Sequence, residues 1–201
     1  MITKHDWWAT PVWEIDTGFD EYFNLILHNE LTDLSKVDKT IMNSQFTNLL
    51  SCKTECMTKL KNKIDETLET IVGDYLRENH PKGCDLYHTN SWLNHQKPGE
   101  SFFLHDHCEM VLVFTYYLVA DENSGDLLLV DPRGSINWDW ETCGYDSKYS
   151  GHSGVKCKNI KPKPGKLVIF PSYLLHTVDR NGSNRVRISI SGNIRNGRHI
   201  V

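Results

Sequence analysis

Residues 101–120 read SFFLHDHCEMVLVFTYYLVA. An aromatic and aliphatic run passes through His105-Asp106-His107 and resumes as a longer β-branched and aromatic run over 110–120. Residues two apart on an extended strand share a face, so His105 and His107 can approach one metal from one wall of a pocket, while Asp106 should point to the other. His176, just beyond the apolar run 167–170, closes that face from a distant part of the chain. Three side chains on one face of an ion leave positions open for substrate and oxygen, the arrangement expected of non-haem Fe(II) oxygenases.

On either side of this stretch the periodicity changes once. Phe19, Phe23, Ile26, Leu27, Leu31 and Leu34 recur at steps of three and four, as do Met57, Leu60, Ile64, Leu68, Ile71, Tyr75 and Leu76. Such stripes predict two amphipathic helices, the second stopped by Pro81 and Gly83. After Gly83 the runs are short and rich in strand-forming residues: 86–93, 101–105, 110–120, 127–131, 167–170 and 186–194. Turn clusters such as Lys97-Pro98-Gly99, Asn123-Ser124-Gly125 and Asn181-Gly182-Ser183 separate them. The expected fold is mainly β with N-terminal helices: a double-stranded β-helix (jelly roll), with 1–82 as helical support and 83–201 as core of one domain spanning 1–201. Residues 133–164 carry Trp138, Trp140, Tyr145 and Tyr149 with little alternation and read as a long loop, either a lid over the pocket or a surface excursion.

Composition narrows the function. The chain has 201 residues, 39% apolar and 24% charged, an ordinary globular balance that suits one domain. A formal charge of −4 argues against a nucleic-acid binder, which needs a basic surface, and favours a small-molecule or peptide substrate. The N-terminus lacks the basic start and apolar run of a signal peptide, and no segment has the roughly 18 consecutive apolar residues of a membrane span, so a cytoplasmic protein is expected. Six cysteines form no Cys-x-x-Cys knuckle and read as reduced thiols, with a Cys143–Cys157 bridge left open.

The usual facial set is two histidines and one carboxylate, with the carboxylate two residues after the first histidine. Here His107 stands at that position, which leaves the metal complex one unit more positive. Glu109, two residues further on, is the rival ligand, giving His107-x-Glu109 with the standard composition in place of His105. Arg187 opens the run Arg187-Ile188-Ser189-Ile190-Ser191, where Arg187 and Ser189 share a face and can grip one carboxylate together, as 2-oxoglutarate requires. Arg185 lies on the same face and is the alternative anchor. Tyr117, in phase with His105 and His107 on an unbroken strand, can donate its phenol to that carboxylate or serve as a core tyrosine. His5, His28, His80, His88, His95, His152 and His199 lack partners at ligand spacing.

With these pieces in place, the sequence resembles the 2-oxoglutarate and Fe(II)-dependent oxygenases with a His-x-His metal segment found in bacteria and their viruses. The resemblance runs from Trp8-Ala9-Thr10-Pro11-Val12 and Ser91-Trp92-Leu93-Asn94 through His105-Asp106-His107 with Tyr116-Tyr117-Leu118. It continues in Ser124-Gly125-Asp126-Leu127 with Asp131-Pro132-Arg133, in the segment 165–172 followed by His176, and in Arg187-Ile188-Ser189-Ile190-Ser191. It implies a jelly roll, Fe(II) bound through His105, His107 and His176, and Arg187 as the cosubstrate anchor. More distantly the chain is similar to prolyl hydroxylases, in which a Tyr-Tyr-Leu strand contributes a tyrosine to 2-oxoglutarate binding. Gly192 departs from the pattern, standing where the family tends to carry an aromatic residue.

The expected activity is an Fe(II)- and 2-oxoglutarate-dependent dioxygenase that consumes molecular oxygen, hydroxylates a substrate the sequence does not name, and releases succinate and carbon dioxide. Two rivals stand beside it. One is a cupin-type three-histidine iron dioxygenase without cosubstrate, suggested by the spacing from Gly99 to His105-x-His107. The other is a non-catalytic jelly-roll binding or virion protein.

Overall fold

In the computed structural model, residues 10–38, 48–71, 85–132 and 157–197 are described. Two helices lie against one of two facing sheets. α1 (Glu21–Val37) begins where the Asp20 carboxylate accepts the Phe23 N–H at 2.8 Å, and α2 (Glu55–Ile71) where the Thr54 hydroxyl accepts the Met57 N–H at 3.4 Å. Both are side-chain caps for otherwise unpaired amides. Glu30 of α1 also reaches the Cys56 N–H, tying the helices together at 3.3 Å.

The larger sheet contains β1 (Trp13–Asp16), β2 (Leu86–Gln96), β4 (Leu112–Val119), β7 (Lys166–Pro171) and β9 (Arg187–Asn196), in the order β1-β7-β4-β9-β2. The smaller contains β3 (Phe102–His105), β5 (Leu127–Val130), β6 (Cys157–Ile160) and β8 (His176–Val178), in the order β3-β8-β5-β6. All pairings are antiparallel. Strand alternation assigns the two faces of the larger sheet. Leu112, Phe114, Tyr116, Ile188, Ile190 and Ile194 pack on Leu27, Leu31, Met57, Leu60, Ile64 and Leu68 of the helices. Val113, Tyr117, Val168 and Phe170 turn the other way and meet Leu127, Leu129 and Ile160 of the smaller sheet.

Sequence and structure agree on both helices and on six strands, and the two-sheet architecture is the expected jelly roll. The segment of the second helical stripe beyond Ile71, with Pro81 and Gly83, lies outside the described residues. Three strands are corrections. β1 lies in the region assigned to helical support yet pairs with β7, where a half-exposed edge suffices for its mixed residues. β6 falls within the stretch read as a loop, 133–164, and pairs with β5 from Leu127↔Ile160 to Val130↔Cys157; the aromatics Trp138, Trp140, Tyr145 and Tyr149 and Cys143 lie outside the described residues. β8, only three residues long, is placed by partners on both sides. None of the described helices is long and apolar enough to cross a membrane.

The departure at Gly192 has a packing cause. Phe114, its cross-strand partner on β4, lays its ring directly over Gly192, so a Cβ there would collide with the ring and with the Asn90 carbonyl. The aromatic ring is therefore supplied by the neighbouring strand, and it is fully buried. Gly192→Ala should cost about 1–3 kcal/mol through overpacking, read as a lowered urea midpoint, and Gly192→Ala combined with Phe114→Leu should recover part of the loss.

Candidate metal centre and its cavity

Between the two sheets lies a cavity of about 920 Å³. The inward positions of β9 supply Arg187, Ser189, Ser191 and Asn193, and those of β2 supply Asn90, Trp92, Asn94 and Gln96. On both strands polar residues thus face the cavity, whereas the Ile residues of β9 face the helices. These groups are internally paired: Asn94 donates to Ser191 Oγ at 2.9 Å and Ser189 Oγ at 3.4 Å, and Trp92 Nε1 donates to Asn94 Oδ1 at 3.1 Å.

His105, His107 and His176 meet at one end, with ligand atoms all within 4.8 Å of one another. His105 and His176 are direct cross-strand partners of β3 and β8, with ring centroids 4.2 Å apart. His107 follows β3 on a turn pinned to the opposite segment: its N–H donates to Ser172 O at 3.0 Å, while Ser172 donates its amide to Val111 O and its hydroxyl to Met110 O. Nδ1 of His105 faces Phe103 O and Nδ1 of His176 faces Leu174 O, each at 2.9 Å. A carbonyl only accepts, so each Nδ1 carries the proton and each Nε2 presents a lone pair. A first-row metal with bonds of about 2.1 Å that takes three donors on one face sets them about 3.0 to 3.4 Å apart, so the three rings would draw closer together around a bound ion. Neutral nitrogen donors suit iron, and the trio fits such an ion.

Burial, then the Leu174 carbonyl acting in the opposite direction, sets the His176 imidazole at a pKa of about 4, with His105 and His107 pushing the same way as burial. Burial likewise lowers His107, helped by His105 and opposed by Asn193 and Asp106. The site therefore keeps His107 and His176 unprotonated, ready to bind a cation.

Arg187 sits in the same cavity, 4% exposed. Nη1 donates to Gly125 O at 3.0 Å, the guanidinium stands 5.6 Å from the centre of the Tyr117 ring, and Nε has no hydrogen-bond partner among the described residues. No carboxylate lies within salt-bridge distance of it among the described residues, although Asp126 acts on its charge from further away. Gly125 can lend that carbonyl because its φ of 89° and the closeness of Asp179 O admit no side chain. Burial raises the Tyr117 phenol to about 12, so it stays protonated and able to donate. Ser189 is buried beside them.

Several expectations change in detail. β3 ends at His105, so His107 lies on the turn rather than the strand, and Tyr117 is not in phase with the histidines: it reaches the cavity from β4 of the other sheet. Glu109 is outside the cluster. Its φ of 66° turns the chain, and its exposed carboxylate lies 3.5 Å from Arg195. Arg185 precedes β9 and is exposed, its carbonyl holding Asn181 and Ser183, so it does not share the face of Arg187. Tyr116 points to the helices and bonds Asn24 at 2.5 Å. Sequence reasoning did not single out Asn193, Ser191 or Trp92 as site residues; the Ile-polar alternation continuing past Ser189 was the available signal.

With this geometry established, the family described as "Putative 2OG-Fe(II) oxygenase" matches residues 90–193, just over half of the chain. The chain belongs to this family. It is an oxygenase whose metal is Fe(II) and whose cosubstrate is 2-oxoglutarate. No curated protein matches the sequence. Among solved structures, a prolyl-4-hydroxylase from Pseudomonas putida aligns with a TM-score of 0.60 at 15% identity, covering 93% of this chain and 88% of that one. The viral collagen prolyl hydroxylase of Paramecium Bursaria Chlorella virus-1 aligns at 0.58 and 17%, covering 92% and 89%. HygX from Streptomyces hygroscopicus, with nickel and 2-oxoglutarate bound, aligns at 0.60 and 12%, covering 92% and 82%. At these identities the likeness speaks for the jelly-roll fold.

The lowered imidazole pKa values fix the sign of a pH effect. Between the ordinary histidine value of 6.5 and about 4 for His176, the unfolded chain binds a proton that the folded metal-free protein refuses. Stability of the metal-free protein should therefore be complete above about pH 6.5 and fall as pH drops towards 4. Urea midpoints measured across this window should show the slope, and His176→Gln should flatten it.

Proposed function

We propose that this oxygenase is a hydroxylase of a small-molecule or peptide substrate, with iron held by His105, His107 and His176 and the far carboxylate of 2-oxoglutarate held by Arg187. The observation that carries the reading is Arg187 itself: a buried guanidinium with no carboxylate partner among the described residues, sharing a cavity with three clustered imidazoles. A buried unpaired cation is costly, and an anionic ligand relieves that cost.

Iron and 2-oxoglutarate supply the oxidation: with dioxygen the 2-oxo acid is split to succinate and carbon dioxide, and one oxygen atom goes to the substrate. The chain's own residues bind and orient. The carbonyls of Phe103 and Leu174 hold two imidazoles with Nε2 free. Arg187 offers charge to the carboxylate, while Tyr117 and Ser189 offer O–H donors; the Ser189 oxygen already accepts from Asn94, which leaves its proton to donate. Val113, Phe170 and Val178 give the cavity apolar walls that limit water. A cupin-type dioxygenase without cosubstrate would leave Arg187 with nothing to bind, and a non-catalytic jelly roll would leave both the cation and the imidazoles unused.

Arg187→Ala should weaken 2-oxoglutarate binding roughly 100-fold, about 3 kcal/mol for a buried charge pair, without loss of iron. Anaerobic titration of the Fe(II) protein, followed by the metal-to-ligand charge-transfer band, measures it. Unchanged succinate production by Arg187→Ala refutes the anchor. His176→Ala should abolish iron binding. Mass spectrometry of cell extract treated with the enzyme and 2-oxoglutarate should reveal a compound gaining one oxygen, and oxidised products without that gain would refute hydroxylation.

A further inference from the structure

His107 is the imidazole that stands where a carboxylate is usual, and it is held differently from its two companions. His105 and His176 each lean on a carbonyl two residues earlier in their own chain segment. His107, beyond the end of β3, stacks on Trp92 with ring centroids 5.9 Å apart and planes 14° from parallel. Stacking sets a ring plane but leaves open which nitrogen carries the proton. That choice requires an acceptor in the plane of the ring.

Asn193 has the free atom. It is 7% exposed, lines the cavity with His107, and donates Nδ2 to Asn90 Oδ1 at 2.9 Å. Its Oδ1 is buried with no hydrogen-bond partner among the described residues. Its side chain stands within hydrogen-bonding reach of the His107 ring. An orphaned buried oxygen costs about 1–3 kcal/mol when it has no partner, so a partner within reach has a physical reason to be used.

We propose that Asn193 is a positioning residue for the metal centre: its Oδ1 accepts the ring N–H of His107, fixing the tautomer that turns the other nitrogen to the ion, while Trp92 fixes the ring plane. This rests on the assignment of His107 as an iron ligand. The neutral amide acceptor also keeps the site's charge at that of the ion. An aspartate in its place would polarise His107 towards imidazolate and return part of the missing negative charge.

The experiment is anaerobic Fe(II) titration, with Co(II) spectra as a second reading, on wild type and on Asn193→Ala and Asn193→Asp, each alone and with His107→Asp. Removing the acceptor should weaken metal binding by about 10- to 100-fold, and Asn193→Asp should bind at least as well as wild type with a shifted Co(II) spectrum. With His107→Asp there is no imidazole to orient, so Asn193→Ala should then change little. Wild-type affinity in Asn193→Ala, or an equal loss in both backgrounds, overturns the proposal. If His107→Asp holds no metal, Asn193→Asp decides, because affinity at the Asn193→Ala level overturns it and affinity at or above wild type supports it. Failure of the wild-type protein to bind either metal would instead sink the three-histidine reading.

Discussion

The ladder between β3 and β8 sets His105 directly opposite His176, with rings 4.2 Å apart, and the rest of the site is arranged around that pair. Both strands are short and are held by backbone bonds, so the two imidazoles owe their approach to sheet geometry rather than to attraction between them. Three imidazoles repel one another once charged, and burial adds to the penalty. The fold forces together groups that favour separation, and a cation resolves the conflict. The Ser172 segment, bonded to His107 N–H, Met110 and Val111, adds the third ring without lengthening the strand.

A second conflict lies across the cavity. Arg187 is buried on β9 against an aromatic ring and one carbonyl, with the Asp126 carboxylate acting on its charge only from beyond salt-bridge distance. One cavity thus holds both a cluster of three imidazoles and a buried guanidinium with no salt-bridge partner among the described residues. No described residue of the helices lines the cavity. They cover the outer face of the larger sheet, so that its inner face can remain polar at no loss to the core.

Much of this was readable in the chain, for specific reasons. The helices announce themselves by Leu and Ile at steps of three and four, and β2, β4, β7 and β9 by runs rich in β-branched and aromatic residues between turn clusters. β1, β6 and β8 have three or four residues each, too few to show a period, and become strands because longer neighbours offer them hydrogen bonds. At the site, His105, His107 and His176 were recognisable from spacing and order. Tyr117 was reached by way of a continuous strand that does not exist. Glu109 was a fair rival on paper, removed by a backbone turn that composition does not reveal. Trp92 and Asn193 gain significance only from what stands opposite them on other strands, and a single sequence does not display such neighbours.

The two-sidedness of β9 carries a consequence for how such a chain can change over time. Arg187, Ser189, Ser191 and Asn193 alternate with Ile188, Ile190 and Ile194, so one added or lost residue within the strand would exchange the two sets, sending a guanidinium and hydroxyls into the helical core and isoleucines into the chamber. Point changes can be absorbed one at a time, but frame changes here cannot. Inherited insertions in relatives should therefore collect in the connections between strands, leaving β9 a fixed ruler against which the rest of the barrel is measured.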